Sequence, residues 1–297
     1  DDLAISLLGK LRTPIWDLRR KSEGYDFIFV DETQLFNENE RRVFPLLCKS
    51  FGYVPIVLAL DEAQSIFGQS SAGLSALGIE NISHESLPAI HRSTKSIVDL
   101  AFYIVQRCGT LFGADFPDFT NVTERLESSE HPLAAMPVIE RCGTEQVSFG
   151  KFIRKRVGEL RKSNQRQIGV IVHASRYWDE IRSELMSSDL PLVEVLTRGE
   201  KLSPTAPIVA LTKPEFVGGQ EFDSVVLIGL EQGVVPPAIS ANDAFNVALE
   251  QQALREMYLS VTRARYRVVI ALAKGAAPTS IIQSAASAGL IRNRDVG

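Results

Sequence analysis

The sequence predicts an α/β fold built on parallel sheets, and three observations predict it. Short apolar runs recur along the chain, at residues 25–30 (YDFIFV), 55–60 (PIVLAL), 168–173 (IGVIVH), 208–211 (IVAL), 224–228 (SVVLI) and 268–272 (VVIAL). Their apolar residues are continuous rather than alternating, as in strands covered on both faces. Longer stretches with apolar residues three or four positions apart lie between them and read as amphipathic helices. Finally, the 297 residues suffice for about two domains at ~150 residues each. Strands alternating with helices imply layered α/β architecture. Right-handed crossovers would gather the strand carboxyl ends at one edge, the usual place for a ligand.

The elements follow in order. The first strand, 25–30, ends on Asp31 and Glu32, and the second, 55–60, on Asp61 and Glu62. A polar stretch at 82–88 with Pro88 marks a boundary, which divides the chain into 1–85 and 86–297. Beyond it, Ile97, Leu100, Ala101, Ile104 and Val105 make one apolar stripe, with Ser93 or Thr94 as its N-cap. Residues 109–136 are acidic and punctuated by Pro and Gly, and read as surface loop. Phe149, Phe152, Ile153, Val157 and Leu160 make a second stripe. Trp178, Ile181 and Leu185 make a third, and Leu254, Met257, Tyr258 and Val261 a fourth. Residues 273–297, rich in Ala, Ser and Gly, read as a weak terminal helix or a frayed tail.

Composition excludes several classes. Hydrophobic residues make up 45% and charged residues 23%, which is ordinary globular usage and not that of a disordered chain. The net charge is −4, so any nucleic acid must be held by a local basic groove and not by bulk charge. Cys48, Cys108 and Cys142 are far apart and odd in number, which points to a reducing cytoplasm and to buried or half-buried thiols. The four histidines show no metal-ligand spacing. No apolar run reaches the ~20 residues of a membrane helix, so no membrane partner is expected.

Several short motifs carry chemistry. At 31–34 a hydrophobic strand delivers Asp31 and Glu32, followed by Thr33 and Gln34. One carboxylate there can help hold Mg²⁺ and the other can orient an attacking water, although acids at a strand end also serve to begin a helix. Gln64 follows the second strand in the same way and can bond a phosphate oxygen without adding charge; the plainer reading is a polar turn. Arg92 precedes the first amphipathic helix and can reach an anion, or can be an ordinary surface arginine. Arg263 lies between a helix and a strand, placed as an arginine finger or as a cation complementing a helix dipole. Gly218 and Gly219 allow close backbone approach to a ligand or a simple tight turn. Glu221, just after them, can accept a hydrogen bond from a ribose hydroxyl. Lys151, Arg154, Lys155, Arg156, Arg161, Lys162 and Arg166 form a basic helical stretch, read as an ordinary solvated face in preference to a phosphate-tracking one.

In order and spacing these motifs resemble the C-terminal two-thirds of a superfamily 1 helicase of the UvrD/Rep/PcrA type. Asp31-Glu32-Thr33-Gln34 is similar to motif II, and residues 60–67 (LDEAQSIF) to motif III. His91-Arg92-Ser93 is similar to motif IV, residues 218–223 (GGQEFD) to motif V, and residues 258–265 (YLSVTRAR) to motif VI. Residues 169–185 resemble segment IVa, and residues 229–236 (GLEQGVVP) the stretch after motif V. The resemblance runs from about residue 25 to residue 272. It implies RecA-like sheets, with a partial first motor domain at 1–85 and a complete second one at 86–297. It implies ATP and Mg²⁺ as cofactors and single-stranded DNA as partner. It assigns Asp31 to the metal, Glu32 to the general base, Gln64, Arg92 and Arg263 to the γ-phosphate, Glu221 to the ribose, and Gln34 to coupling between motifs.

The chain departs from that pattern in four places. No G-x-x-x-x-G-K-[ST] phosphate loop occurs. Gly9-Lys10 comes nearest, but Ala4 and Leu11 fail to fit on either side. The expectation is that a missing N-terminal motor segment or a partner chain supplies that loop, and that this chain alone binds ATP poorly. After Phe67 stand Gly68-Gln69-Ser70, where the family has an aromatic-basic run that stacks on a base. The usual motif V lysine is Gly218, and no large insertion separates residue 196 from residue 208. Two alternatives therefore stay open beside the helicase: a DNA-responsive ATPase switch in a defence or repair complex, and a non-catalytic scaffold.

Overall fold

The computed structural model describes residues 2–31, 33, 36–49, 54–59, 77, 79, 83, 93–107, 131–143, 147–197, 199–200, 202–203, 205–236 and 243–296. The chain divides into two compact units, Asp1–Ser86 and Leu87–Gly297.

The first unit contains α1 (Asp2–Leu11), α2 (Pro14–Glu23), β1 (Ile28–Val30), α3 (Glu38–Leu47) and β2 (Ile56–Leu58). Local chemistry sets the helix starts. Thr13 caps α2, accepting from the Trp16 amide at 3.3 Å, and Pro14 opens it with its φ preset for a helix. Asn37 and Glu40 form a reciprocal capping box at the start of α3. Leu8 and Leu11 of α1 bury against Val43 of α3, and the Trp16 indole packs beside them and donates to the Leu46 carbonyl at 2.8 Å. β1 and β2 pair in parallel, with Phe29 opposite Val57, and both of these side chains are exposed.

The second unit runs α4 (Lys95–Val105), β3 (Val138–Cys142), α5 (Phe149–Lys162), β4 (Gln167–Val172), α6 (Trp178–Met186), β5 (Leu192–Val195), β6 (Ile208–Thr212), β7 (Phe222–Ile228), α7 (Asp243–Thr262), β8 (Ala264–Leu272), α8 (Ser280–Ser287) and β9 (Arg292–Val296). Its strands form an all-parallel seven-stranded sheet in the order β5-β6-β4-β7-β8-β3-β9 among the described residues. This is the parallel α/β layer that the continuous apolar runs predict, and it is consistent with the RecA-like sheet that the resemblance implies. Phe152, Ile153, Val157 and Leu160 of α5, with Ile181 and Leu185 of α6, pack on Ile168, Val170, Val226 and Val269 at one face. The alternate residues Ile139, Val225, Leu227 and Ile270 are buried on the other face, where α4 lies against β8 and α7. At ~25 cal/mol per Å² of apolar area, two covered faces make this sheet the main source of stability.

Two expectations need correction. The stretch 273–297 is neither a lone helix nor a frayed tail: α8 is followed by β9, which pairs with β3 over five residues. β9 reads Arg-Asn-Arg-Asp-Val, so it joins the edge by backbone pairing and has no apolar pattern to announce it. β3 and β5 are likewise absent from the predicted strands, because Glu140 and Arg141 interrupt the apolar run of the one and Glu194 that of the other. Cys48 and Cys142 are buried, as expected; Cys108 lies outside the described residues. Among the described residues no helix is long and apolar enough to cross a membrane.

Candidate functional site

In the first unit, Asp31 follows β1 directly, at the carboxyl end of the β1–β2 pair, and is exposed. The turn that carries it is pinned by buried Thr33, whose amide donates to the Ala59 carbonyl at 2.8 Å and whose hydroxyl donates to the Val30 carbonyl at 3.2 Å. Ala59 returns its own amide to Val30 at 2.8 Å. Glu32, Gln34, Gln64 and Arg92 lie outside the described residues.

In the second unit the structure gathers Gly219, Glu221 and Arg263 at the amino ends of β7 and β8. This is the edge opposite to the carboxyl ends at which the sequence reading expects ligands. These residues immediately precede their strands, so the chain delivers them to the edge where β7 and β8 begin. Arg263 is 1% exposed. Its carbonyl accepts from the Phe222 amide at 2.9 Å, and its Nη1 donates to the Gln220 carbonyl at 3.4 Å. Ser93 donates to the Ala264 carbonyl at 2.8 Å and the Thr94 amide to the Arg265 carbonyl at 3.0 Å, which docks the start of α4 on this edge. Gly219 has φ +74 and open space beside its Cα, so the turn needs its left-handed backbone.

Glu221 is engaged by Arg265 through Nε at 3.1 Å and also through Nη2. The hydrogen bonds to that carboxylate hold the Arg265 guanidinium above its ordinary pKa. Asp223, within the same motif, accepts the Arg166 and Gln167 amides at 2.7 and 3.0 Å and so fixes the start of β4. The basic stretch on α5 is largely spent on structure: Arg154 pairs with Glu184, Arg156 with Glu140 and Glu159, and Arg161 donates to the Arg166 carbonyl. The solvated-face reading thus holds in only part of the stretch, at the exposed Lys151, Lys155 and Lys162, since Arg156 is buried against Glu140.

The carboxyl ends of the strands carry a second constellation, to which sequence reasoning gave no roles. Past β4 stand Arg176, Tyr177 and Trp178, and past β6 stands Lys213, whose ammonium lies 5.5 Å from the Trp178 ring centroid. Beneath them Glu231, 2% exposed, accepts from the Tyr177 hydroxyl at 2.7 Å, from Arg176, and from the Ala273 amide at 3.1 Å. Burial, with the bond to Glu231, pushes the Tyr177 phenol up to about 12. The only sequence signal was the aromatic-basic trio itself, and an aromatic beginning a helix more often marks core. Lys213 and Trp178 are both half-buried, and Trp178 packs against the core, so part of the indole is already covered; a cation beside an indole face suits contact with phosphates and bases.

No protein-family model matches this chain, and no curated protein matches it in sequence. Among solved structures, the chain is similar to one described as the C-terminal domain of a possible DNA helicase from Lactobacillus plantarum WCFS1. The two share 11% identity with a TM-score of 0.44, over 68% of this chain and 98% of that one.

Proposed function

We propose that this chain is part of a UvrD-like, ATP-driven motor that moves on single-stranded DNA. In this reading ATP and Mg²⁺ are its cofactors and the cytoplasm its compartment. Asp31 helps hold the Mg²⁺, which bridges phosphates and offsets their charge, and Glu32 takes the proton of the attacking water. Gln64, Arg92 and Arg263 meet the γ-phosphate, Glu221 and Gly219 border the ribose, and Gln34 links the nucleotide to the following motif. The observation that carries the reading is the meeting of Gly219, Glu221 and Arg263, separated in sequence by the whole of α7, at the starts of two adjacent parallel strands. Exposed Arg176, with Lys213 beside the half-buried Trp178 indole, supports single-stranded nucleic acid as the second ligand.

A further polypeptide segment bearing the phosphate loop, in the same protein or in a partner chain, completes the nucleotide site. Exposed Phe27, Phe29 and Val57 in the first unit favour this, because parallel strands are normally covered on both faces. The switch alternative draws on the short residues after Phe67, which give little for a base to stack on.

The test is ATP hydrolysis by a chain that includes a segment bearing a phosphate loop, with and without single-stranded DNA. Stimulation by DNA is expected, with loss of turnover in Glu32→Gln and a fall of about 10³-fold in Arg263→Ala. Basal turnover that ignores DNA would indicate the switch, and no turnover at all the scaffold.

A further inference from the structure

Three arginines from three elements converge on one carboxylate on the α5 side of the second unit's sheet. Glu140 of β3 is fully buried. Arg156 of α5 approaches it to 2.8 Å and Glu159 to 3.0 Å, and Arg294 of β9, its lateral partner in the sheet, approaches it to 3.6 Å. Arg267 of β8 lies two residues before Val269, the partner of Val138, and so presents to the same face as Glu140. Three guanidinium groups thus face two carboxylates, and one of these, Glu159, is 42% exposed.

Donors and acceptors in the cluster are both left unmatched. The Nε atoms of Arg156 and Arg267 are buried and have no hydrogen-bond acceptor among the described residues. No aligned hydrogen bond reaches either Glu140 oxygen. A buried donor on a cation is costly to leave unmatched. Burial pushes the Arg267 guanidinium below its ordinary value, and repulsion from Arg156 and Arg294 adds to this against the attraction of Glu140. Three guanidinium groups are therefore set against two carboxylates, with Arg156 buried and Arg294 60% exposed.

We propose that this cluster is an anion site that takes a phosphate group, bound by Arg156, Arg267 and Arg294. A phosphate accepts in the planar geometry that guanidinium forks supply, and its charge relieves the repulsion among them. Glu140 orients Arg156 and Arg294 and limits affinity by its own negative charge. The site shares no residue with the edge that holds Gly219, Glu221 and Arg263, and it stands whether or not the motor reading does.

The purified chain is titrated with inorganic phosphate, and its thermal unfolding is compared in phosphate and in sodium chloride of equal ionic strength. Binding with a dissociation constant on the order of millimolar is expected, with stabilisation beyond that of chloride. Arg294→Ala and Arg267→Gln each weaken it about tenfold, the loss of roughly one charge-assisted bond, whereas Arg263→Ala leaves it unchanged. Arg294 is mostly in solvent, so its variant remains decisive if Arg267→Gln does not fold. A parallel titration with oligothymidylate lacking terminal phosphates separates the sources of the group. Binding of the oligomer that depends on Arg294 assigns the site to a nucleic-acid backbone; binding of inorganic phosphate alone assigns it to a free or terminal phosphate. Equal stabilisation by phosphate and chloride, with no Arg294-dependent binding of the oligomer, overturns the proposal. So does binding indifferent to Arg294 and, where that variant folds, to Arg267.

Discussion

His173 follows β4 directly, and both its ring nitrogens are buried without a hydrogen-bond partner among the described residues. Burial pushes its pKa from 6.5 down to about 3, because a charged imidazolium there would lose its hydration. The folded protein thus refuses a proton that the unfolded chain accepts. The associated stability is fully present above the ordinary value and is lost as pH falls from about 6.5 towards 3, at up to ~1.4 kcal/mol per pH unit. Urea midpoints at pH 7.5 and pH 5 should therefore differ by less in His173→Phe than in the native sequence; equal differences would remove this account. Gly229 shows the other residue-scale constraint. Its φ is +87, and a Cβ there would stand 2.5 Å from that of Ala174. The turn past β7 therefore packs tightly on the turn past β4. The glycine was visible in the sequence, but the neighbour that requires it lies far along the chain.

Among the elements, α3 has the most explicit local signals. Asn37 accepts from the Glu40 amide at 3.0 Å, and the Glu40 carboxylate accepts from the Asn37 amide at 2.8 Å. Asn37→Ala should cost about 1 kcal/mol, read from the denaturant midpoint with an unchanged slope. β9 is the opposite case. Its exposed Arg292, Asn293 and Arg294 give no alternation and no apolar run, and a charged edge strand also resists pairing with other chains. Its position is settled by β3, through backbone register and the approach of Arg294 to Glu140. The strands that were legible, β1, β2, β4, β6, β7 and most of β8, are those whose apolar runs the layers cover. The strands missed, β3, β5 and β9, carry charge at the two flanks of the sheet.

At the scale of the molecule, the two units differ in how well their sheets are covered. The second has seven parallel strands with buried residues on both faces. The first has two described strands, a small cluster of Leu8, Leu11 and Val43, and exposed Leu3, Ile15, Leu18, Phe27 and Phe29. A sheet of two strands with little core is marginal in water. Residues 87–297 expressed alone should therefore unfold cooperatively with heat, by far-UV circular dichroism, whereas residues 1–86 alone should show no cooperative transition. A cooperative transition in the shorter piece would mean that its small core suffices.

The sequence by itself determined the layered α/β class, most helices and most strands, and the seating of Asp31 at a strand end, because continuous apolar runs and helical periodicity are local properties of the chain. It also supplied the motif order from which the motor reading comes. Only the tertiary structure decided that Arg263 is buried, that Glu221 is held by Arg265, and that Glu140 draws arginines from α5 and β9. Burial and charge pairing depend on which distant segments the parallel pairing brings side by side, and no spacing within a single segment encodes that.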